Sequence, residues 1–105
     1  MLENKSLVII PTYNESENIS EIIDEIFLLE DNFNILIVDD KSPDKTANIV
    51  KEKIVFNNER LFLIERKRKT GIGPAYLDGF KWAIENRYEN IYEMDADFSH
   101  NPKDL

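Results

Sequence analysis

Asp95 and Asp97 stand two residues apart, directly after the strand candidate Ile91 to Met94. In extended backbone alternate side chains leave the same face, so both carboxylates point one way. Two convergent carboxylates repel unless a cation or a proton lies between them. Mg2+ and Mn2+ take oxygen ligands, commonly one or two carboxylates with waters and substrate phosphates. The pair therefore reads as a divalent-metal clamp able to hold a diphosphate. An isolated D-x-D is also a common turn, its side chains bonding the local backbone; the position after a buried strand favours the clamp.

Two more polar clusters follow apolar runs. Asp39-Asp40-Lys41-Ser42-Pro43-Asp44 comes after Ile35 to Val38. A carboxylate there can accept hydrogen bonds from a nucleobase or a ribose hydroxyl, or from backbone amides at the next helix start. We expect both roles, one per Asp. In Pro11-Thr12-Tyr13 the ring either lies against a nucleobase or packs on the following helix, while Pro11 ends the strand and shapes a pocket. Arg66-Lys67-Arg68-Lys69 concentrates four of the 13 basic residues. That clustering in an acidic chain reads as a local anion site or as a solvated loop. Gly71-Ile72-Gly73 is not a dinucleotide fingerprint, because Tyr76 stands where the third glycine would fall. His100 reads as a polar loop residue.

The elements that must position these clusters are legible. Ser6 to Ile10 is a strand. Ile19, Ile22, Ile23, Ile26 and Phe27 recur on one helical face, with Asn14 and Glu17 at capping-box spacing. Asn34 to Val38 is a second strand, apolar without alternation and so buried on both faces. Ser42-Pro43 suits the start of a second helix, with Ala47, Val50 and Ile54 inward. Leu61 to Ile64 is a third strand. Pro74 opens a third helix with Leu77, Phe80, Ala83 and Ile84 inward, and Ile91 to Met94 is a fourth strand. This alternation predicts an α/β fold, a Rossmann-like, mostly parallel sheet with helices on both faces. Ligands of such sheets lie beyond the carboxyl ends of the strands, where the clusters after strands one, two and four converge.

Composition narrows the chemistry. With 105 residues, 42% of them hydrophobic, the chain suffices for one domain. The net charge of −8 argues against nucleic acid as a partner, since phosphate-backbone affinity needs Lys and Arg. Without cysteine there is no disulfide scaffold, Cys-based zinc site or thiol nucleophile, and a single histidine rules out a multi-histidine metal cage. Oxygen ligands must carry any chemistry. The apolar runs are too short for a transmembrane segment and the N-terminus is not a signal peptide, so a cytoplasmic location is the expectation.

Val8-Ile9-Ile10-Pro11-Thr12-Tyr13-Asn14-Glu15, Ile37-Val38-Asp39-Asp40-Lys41-Ser42-Pro43-Asp44, Gly71-Ile72-Gly73-Pro74-Ala75-Tyr76 and Glu93-Met94-Asp95-Ala96-Asp97-Phe98-Ser99-His100 occur in order. Taken together, they resemble the N-terminal part of family 2 glycosyltransferases. The first-strand motif, the Asp pair and the D-x-D are general family signals. The Gly-x-Gly-x-Ala-Tyr segment and the Met-Asp-Ala-Asp-Phe-Ser-His string resemble the polyprenol-phosphate (dolichol-phosphate) mannosyltransferase branch. The resemblance implies the nucleotide-binding half of a GT-A domain. It implies that Pro11, Tyr13, Glu15, Val38 and Asp40 bind the nucleoside. It implies that Asp95, Ala96 and Asp97 bind the donor diphosphate, with Asp95 and Asp97 on a divalent cation, Mg2+ or Mn2+. Lys41 departs from the small or neutral residue usual in the family, and Lys45 from a common glycine.

The implied reaction moves a sugar, mannose from GDP-mannose first, with inversion, onto a polyprenyl phosphate at the cytoplasmic membrane face. The metal would neutralise charge on the leaving diphosphate, and an ionised acceptor phosphate needs no strong base. Family domains run on for roughly another hundred residues by domain-size priors. Residues 1–105 are therefore expected to be the nucleotide-sugar-binding part of a domain truncated after the D-x-D, inactive as a transferase by itself, with acceptor-side catalytic residues lying further on. A UDP-sugar transferase and a non-catalytic nucleotide-binding module are the alternatives. A phospho-receiver domain would need its paired acids after the first strand, and here they follow the second.

Overall fold

The computed structural model describes residues 6–29, 32–57 and 59–96. Four strands alternate with three helices: β1 (Ser6–Thr12), α1 (Ile19–Phe27), β2 (Asn34–Asp39), α2 (Thr46–Phe56), β3 (Leu61–Glu65), α3 (Ile72–Glu85) and β4 (Asn90–Glu93). The strands form one parallel sheet in the order β3-β2-β1-β4. The predicted α/β architecture is what folds. Alternation within β1 and β2 serves both faces. Val8, Ile10, Ile35 and Ile37 join Ile19, Ile22, Ile23 and Ile26 of α1 and Val50 of α2 on one side. Leu7, Ile9, Leu36 and Val38 meet Ala75 and Ala83 of α3 on the other. Helices on both faces explain why these strands are apolar without a break.

Pro11 does not end β1, as expected from its type. It pairs with Val38, and the strand runs to Thr12. The Ile9 carbonyl accepts from Met94 N–H, so odd-numbered residues of β1 face β4. The amide that proline lacks would face β4 just past Glu93, at the level where the β1–β4 pairing stops.

Three further expectations are corrected. Asn14 and Glu17 do not cap α1: Asn14 adopts a left-handed φ of 57°, and Asn18 precedes the first helical residue. The amides of residues 14, 15 and 16 instead donate to Ser42 Oγ, Thr46 Oγ1 and Asp44 Oδ2, from the loop before α2 and its first residue. Ser42 does not cap α2, because its amide and hydroxyl both bond Asp39. Asp44 accepts from the Thr46 amide and hydroxyl instead. Finally, Leu77 and Ile84 of α3 are 59% and 70% exposed. The stripe that meets the sheet is Ala75, Gly79 and Ala83, spaced four residues apart; Leu77 and Ile84 lie on the opposite side at about 100° per residue. A Cβ on Gly79 would sit 2.7 Å from Ile9 Cγ2, so only glycine permits this approach.

The two lysines that depart from the family pattern both occupy left-handed backbone, with φ of 61° at Lys41 and 69° at Lys45. Glycine adopts that conformation without steric penalty, so the backbone at Lys45 is one that suits glycine.

Candidate functional site

At the carboxyl ends of β1, β2 and β4 the chain leaves a cavity of about 270 Å3. It lies where the strand order reverses, with β2 on one side of β1 and β4 on the other, the usual crevice of such sheets. Pro11, Tyr13, Glu15, Asp40, Asp95 and Ala96 line it, so six of the eight expected site residues are brought together. Val38 is not. It is fully buried between β2 and α3, one residue below the rim. Asp97 lies outside the described residues, as does His100. The loop before α3 adds Lys69 and Gly71 to the lining, and the start of α3 adds Ile72 and Ala75.

Both carboxylates of the Asp pair bond the protein's own loops, and of the two only Asp40 lines the cavity. Asp39 accepts from the Thr12 hydroxyl at 2.6 Å and from the Ser42 amide and hydroxyl at 2.9 and 2.6 Å. Asp40, buried but on the cavity wall, accepts from the Thr70 and Gly71 amides at 3.1 and 3.0 Å. Gly71 has a φ of 103°, which turns its amide into the start of α3. The second Asp40 oxygen lies 3.3 Å from Arg66 Nη1, and Arg66 Nε reaches Asp78 at 3.1 Å.

That ion pairing resolves the basic segment residue by residue. Arg66 is folded inward onto two carboxylates. Lys69 stands over the Tyr13 ring, its ammonium 4.0 Å from the centroid, a cation–π contact at the cavity mouth. Lys67 and Arg68 are exposed.

Tyr76, singled out only as part of a motif, donates its hydroxyl to Asp95 at 3.3 Å. Burial, then the charges of Asp95 and Glu93, push the phenol well above its ordinary range, so it remains a donor. Asp44 is shifted the other way. Burial would raise its carboxyl, but hydrogen bonds from Thr46 and Ser16 outweigh that and hold it below its ordinary value. Among the described residues, no group of three or more His, Asp or Glu is placed to hold a metal ion. Asp95, at the cavity wall, is the described half of the D-x-D and offers carboxylate oxygen, the donor that Mg2+ and Mn2+ select.

The model of glycosyl transferase family 2 matches residues 7–105, nearly the whole chain. The chain belongs to that family. Over 101 residues it is 43% identical to a polyprenol monophosphomannose synthase of Mycolicibacterium smegmatis, covering 96% of this chain and 38% of that protein. It is 37% identical to an undecaprenyl-phosphate mannosyltransferase of Micrococcus luteus, over 94% of this chain and 40% of that one. The chain thus spans about two fifths of the length of these family 2 relatives. Among solved structures it is similar to a mannosyltransferase from Pyrobaculum calidifontis in complex with GDP-Man and Mn2+. The TM-score is 0.66 and the identity 28%, over 74% of this chain and 24% of that one. The structural neighbours are GT-A glycosyltransferases, as the strand order and the alternation of helices lead one to expect.

Proposed function

We propose that this family 2 chain forms the donor-binding part of a GT-A glycosyltransferase that moves mannose from GDP-mannose to a polyprenyl phosphate. The observation that carries the reading is the single cavity collecting Tyr13, Asp40, Lys69 and Asp95 at the switch point of the sheet. The mannosyltransferase relatives support the donor and the acceptor class. In this reading Tyr13 and Asp40 receive the nucleoside, and Glu15, Pro11 and the backbone above Val38 complete its pocket.

Asp95 with Asp97 would hold a divalent cation, Mn2+ or Mg2+, that neutralises charge on the departing diphosphate. Tyr76 keeps the Asp95 carboxylate facing the cavity, and Lys69 supplies a further positive charge at its mouth. An oxygen of the acceptor phosphate attacks the anomeric carbon as the bond to the diphosphate oxygen breaks, so the sugar inverts and GDP leaves. Because that phosphate is already ionised, no residue needs to remove a proton. No described helix is long and apolar enough to cross a membrane; in this reading the domain meets its lipid acceptor at the cytoplasmic membrane face.

The test is titration of the full-length protein with GDP and UDP, with and without Mn2+, followed by transfer of labelled mannose to polyprenyl phosphate. Mn2+-dependent GDP binding, weakened at least tenfold by Asp97→Ala and accompanied by transfer, is expected. Tighter binding of UDP would move the donor to the UDP sugars. Nucleotide binding indifferent to Mn2+ and to Asp97→Ala would refute the clamp.

A further inference from the structure

Tyr13 is 37% exposed, and the Lys69 ammonium lies over its ring. What holds it is the backbone on either side. Thr12, before it, is buried at the end of β1 and donates its hydroxyl to Asp39 Oδ1 at 2.6 Å. Asn14, after it, is bent into left-handed backbone and donates its amide to Ser42 Oγ at 2.8 Å. That oxygen is free to accept because the Ser42 hydroxyl proton points to the same Asp39 oxygen, also at 2.6 Å. The Ser42 amide fixes the other Asp39 oxygen at 2.9 Å.

We propose that Asp39, which does not line the cavity, is the positioning residue for Tyr13, clamping both flanking residues and so aiming the ring that receives the nucleobase. The inference rests on the reading of Tyr13 given above. A carboxylate suits the position: three donors converge on it, whereas an amide at residue 39 would turn its NH2 group either to the Ser42 amide or to the two hydroxyls, which would then have to accept. The negative charge strengthens each bond, and burial of Thr12 and Asp39 keeps water from the bond between them. Ser42 transmits the constraint: without its hydroxyl, Asn14 keeps its amide but loses the anchor that sets the left-handed bend.

Asp39 is buried, so Ser42→Ala carries the test, with Thr12→Val as the same probe from the other side of the ring. GDP affinity in the presence of Mn2+ is measured on the full-length protein for Ser42→Ala, Tyr13→Ala and the double variant, with melting temperature as a check on the fold. Ser42→Ala should weaken GDP about fivefold, as expected for one net hydrogen bond. Ser42→Thr should restore it, and in the Tyr13→Ala background the same change should have less than a twofold effect. An equal loss in both backgrounds overturns the relay while leaving the reading of Tyr13 intact. Unchanged affinity in Tyr13→Ala alone overturns both.

Discussion

Asp40 makes a sharp stability prediction because its carboxylate is held from three directions while nearly sealed from solvent. Replacing it with Ala removes the acceptor for the Thr70 and Gly71 amides and takes one of two carboxylates from Arg66. A hydrogen bond to a charged group contributes about 1.5–3 kcal/mol. The two amides border the cavity, where water can partly replace the lost acceptor, which halves that sum to about 2 kcal/mol. Arg66 keeps Asp78, so its share is nearer 1 kcal/mol than the roughly 3–5 kcal/mol of an orphaned buried ion. The Asp40–Arg66 contact also lacks hydrogen-bond geometry, which lowers it further. We therefore expect Asp40→Ala to lose about 3 kcal/mol of folding stability. Asp40→Asn keeps one acceptor for the amides but turns toward Arg66 without a charge, and should lose about half as much. Arg66→Met in that background should recover about 1 kcal/mol relative to the sum of the single changes. Urea unfolding at neutral pH measures each value, provided the m-value is unchanged. Strict additivity of Asp40→Asn and Arg66→Met, or a loss below about 0.5 kcal/mol in Asp40→Ala, would show that this carboxylate does not organise the loop before α3.

Two further outcomes follow from the packing and the caps. Asp44 titrates lower in the folded chain than in the unfolded one, so the unfolded chain binds its proton first as the pH falls. Its contribution is full above the ordinary value of 3.8 and disappears as the pH drops through the lower folded value. Asp44→Asn should flatten the acid limb of a stability–pH curve, and Asp44→Ala should cost about 1 kcal/mol at neutral pH, the usual loss of a cap. Gly79→Ala adds a methyl 2.7 Å from a branched methyl of buried Ile9. The gain of about 1 kcal/mol in helix propensity is outweighed by overpacking of about 1–3 kcal/mol, so the variant should unfold at lower urea; a more stable variant would mean that α3 can recede from β1.

The strands were legible because burial on both faces leaves an unmistakable mark: Leu7 to Ile10 and Ile35 to Val38 contain no polar residue at all. The isoleucine spacing of α1 was equally direct. The helix starts were not. The turn leading into α1 takes its hydrogen bonds from partners 28 to 31 residues away, as at Asn14, Glu15 and Ser16, and no local motif records such distant partners. Side-chain size misled at α3, where Leu77 and Ile84 suggested the inner face while the sheet accepts only Ala75, Gly79 and Ala83. The site was legible in its carboxylates, because acids directly after apolar runs stand out. Asp39 gave no sign of differing from its neighbour, and Lys69 and Tyr76 showed only as members of a basic run and a family motif. Their partners, Tyr13 and Asp95, are set by tertiary placement.

The position of the cavity follows from one missing amide. In a parallel ladder each residue bonds the neighbouring strand on a single side, alternate residues facing alternate neighbours. Ile9 faces β4 and accepts from Met94. The next residue of β1 on that side is Pro11, whose N–H would have bonded the Met94 carbonyl, and proline has none. Pairing between β1 and β4 therefore stops at the level of Ile9 and Glu93, while on the other side β1 stays paired with β2 as far as Thr12 and Asp39. The two strands are free to diverge only on the β4 side. Asp95 and Ala96 leave the sheet there, opposite Pro11, Tyr13 and Asp40. A residue that seemed to mark the end of a strand instead decides on which side of the strand the sheet opens.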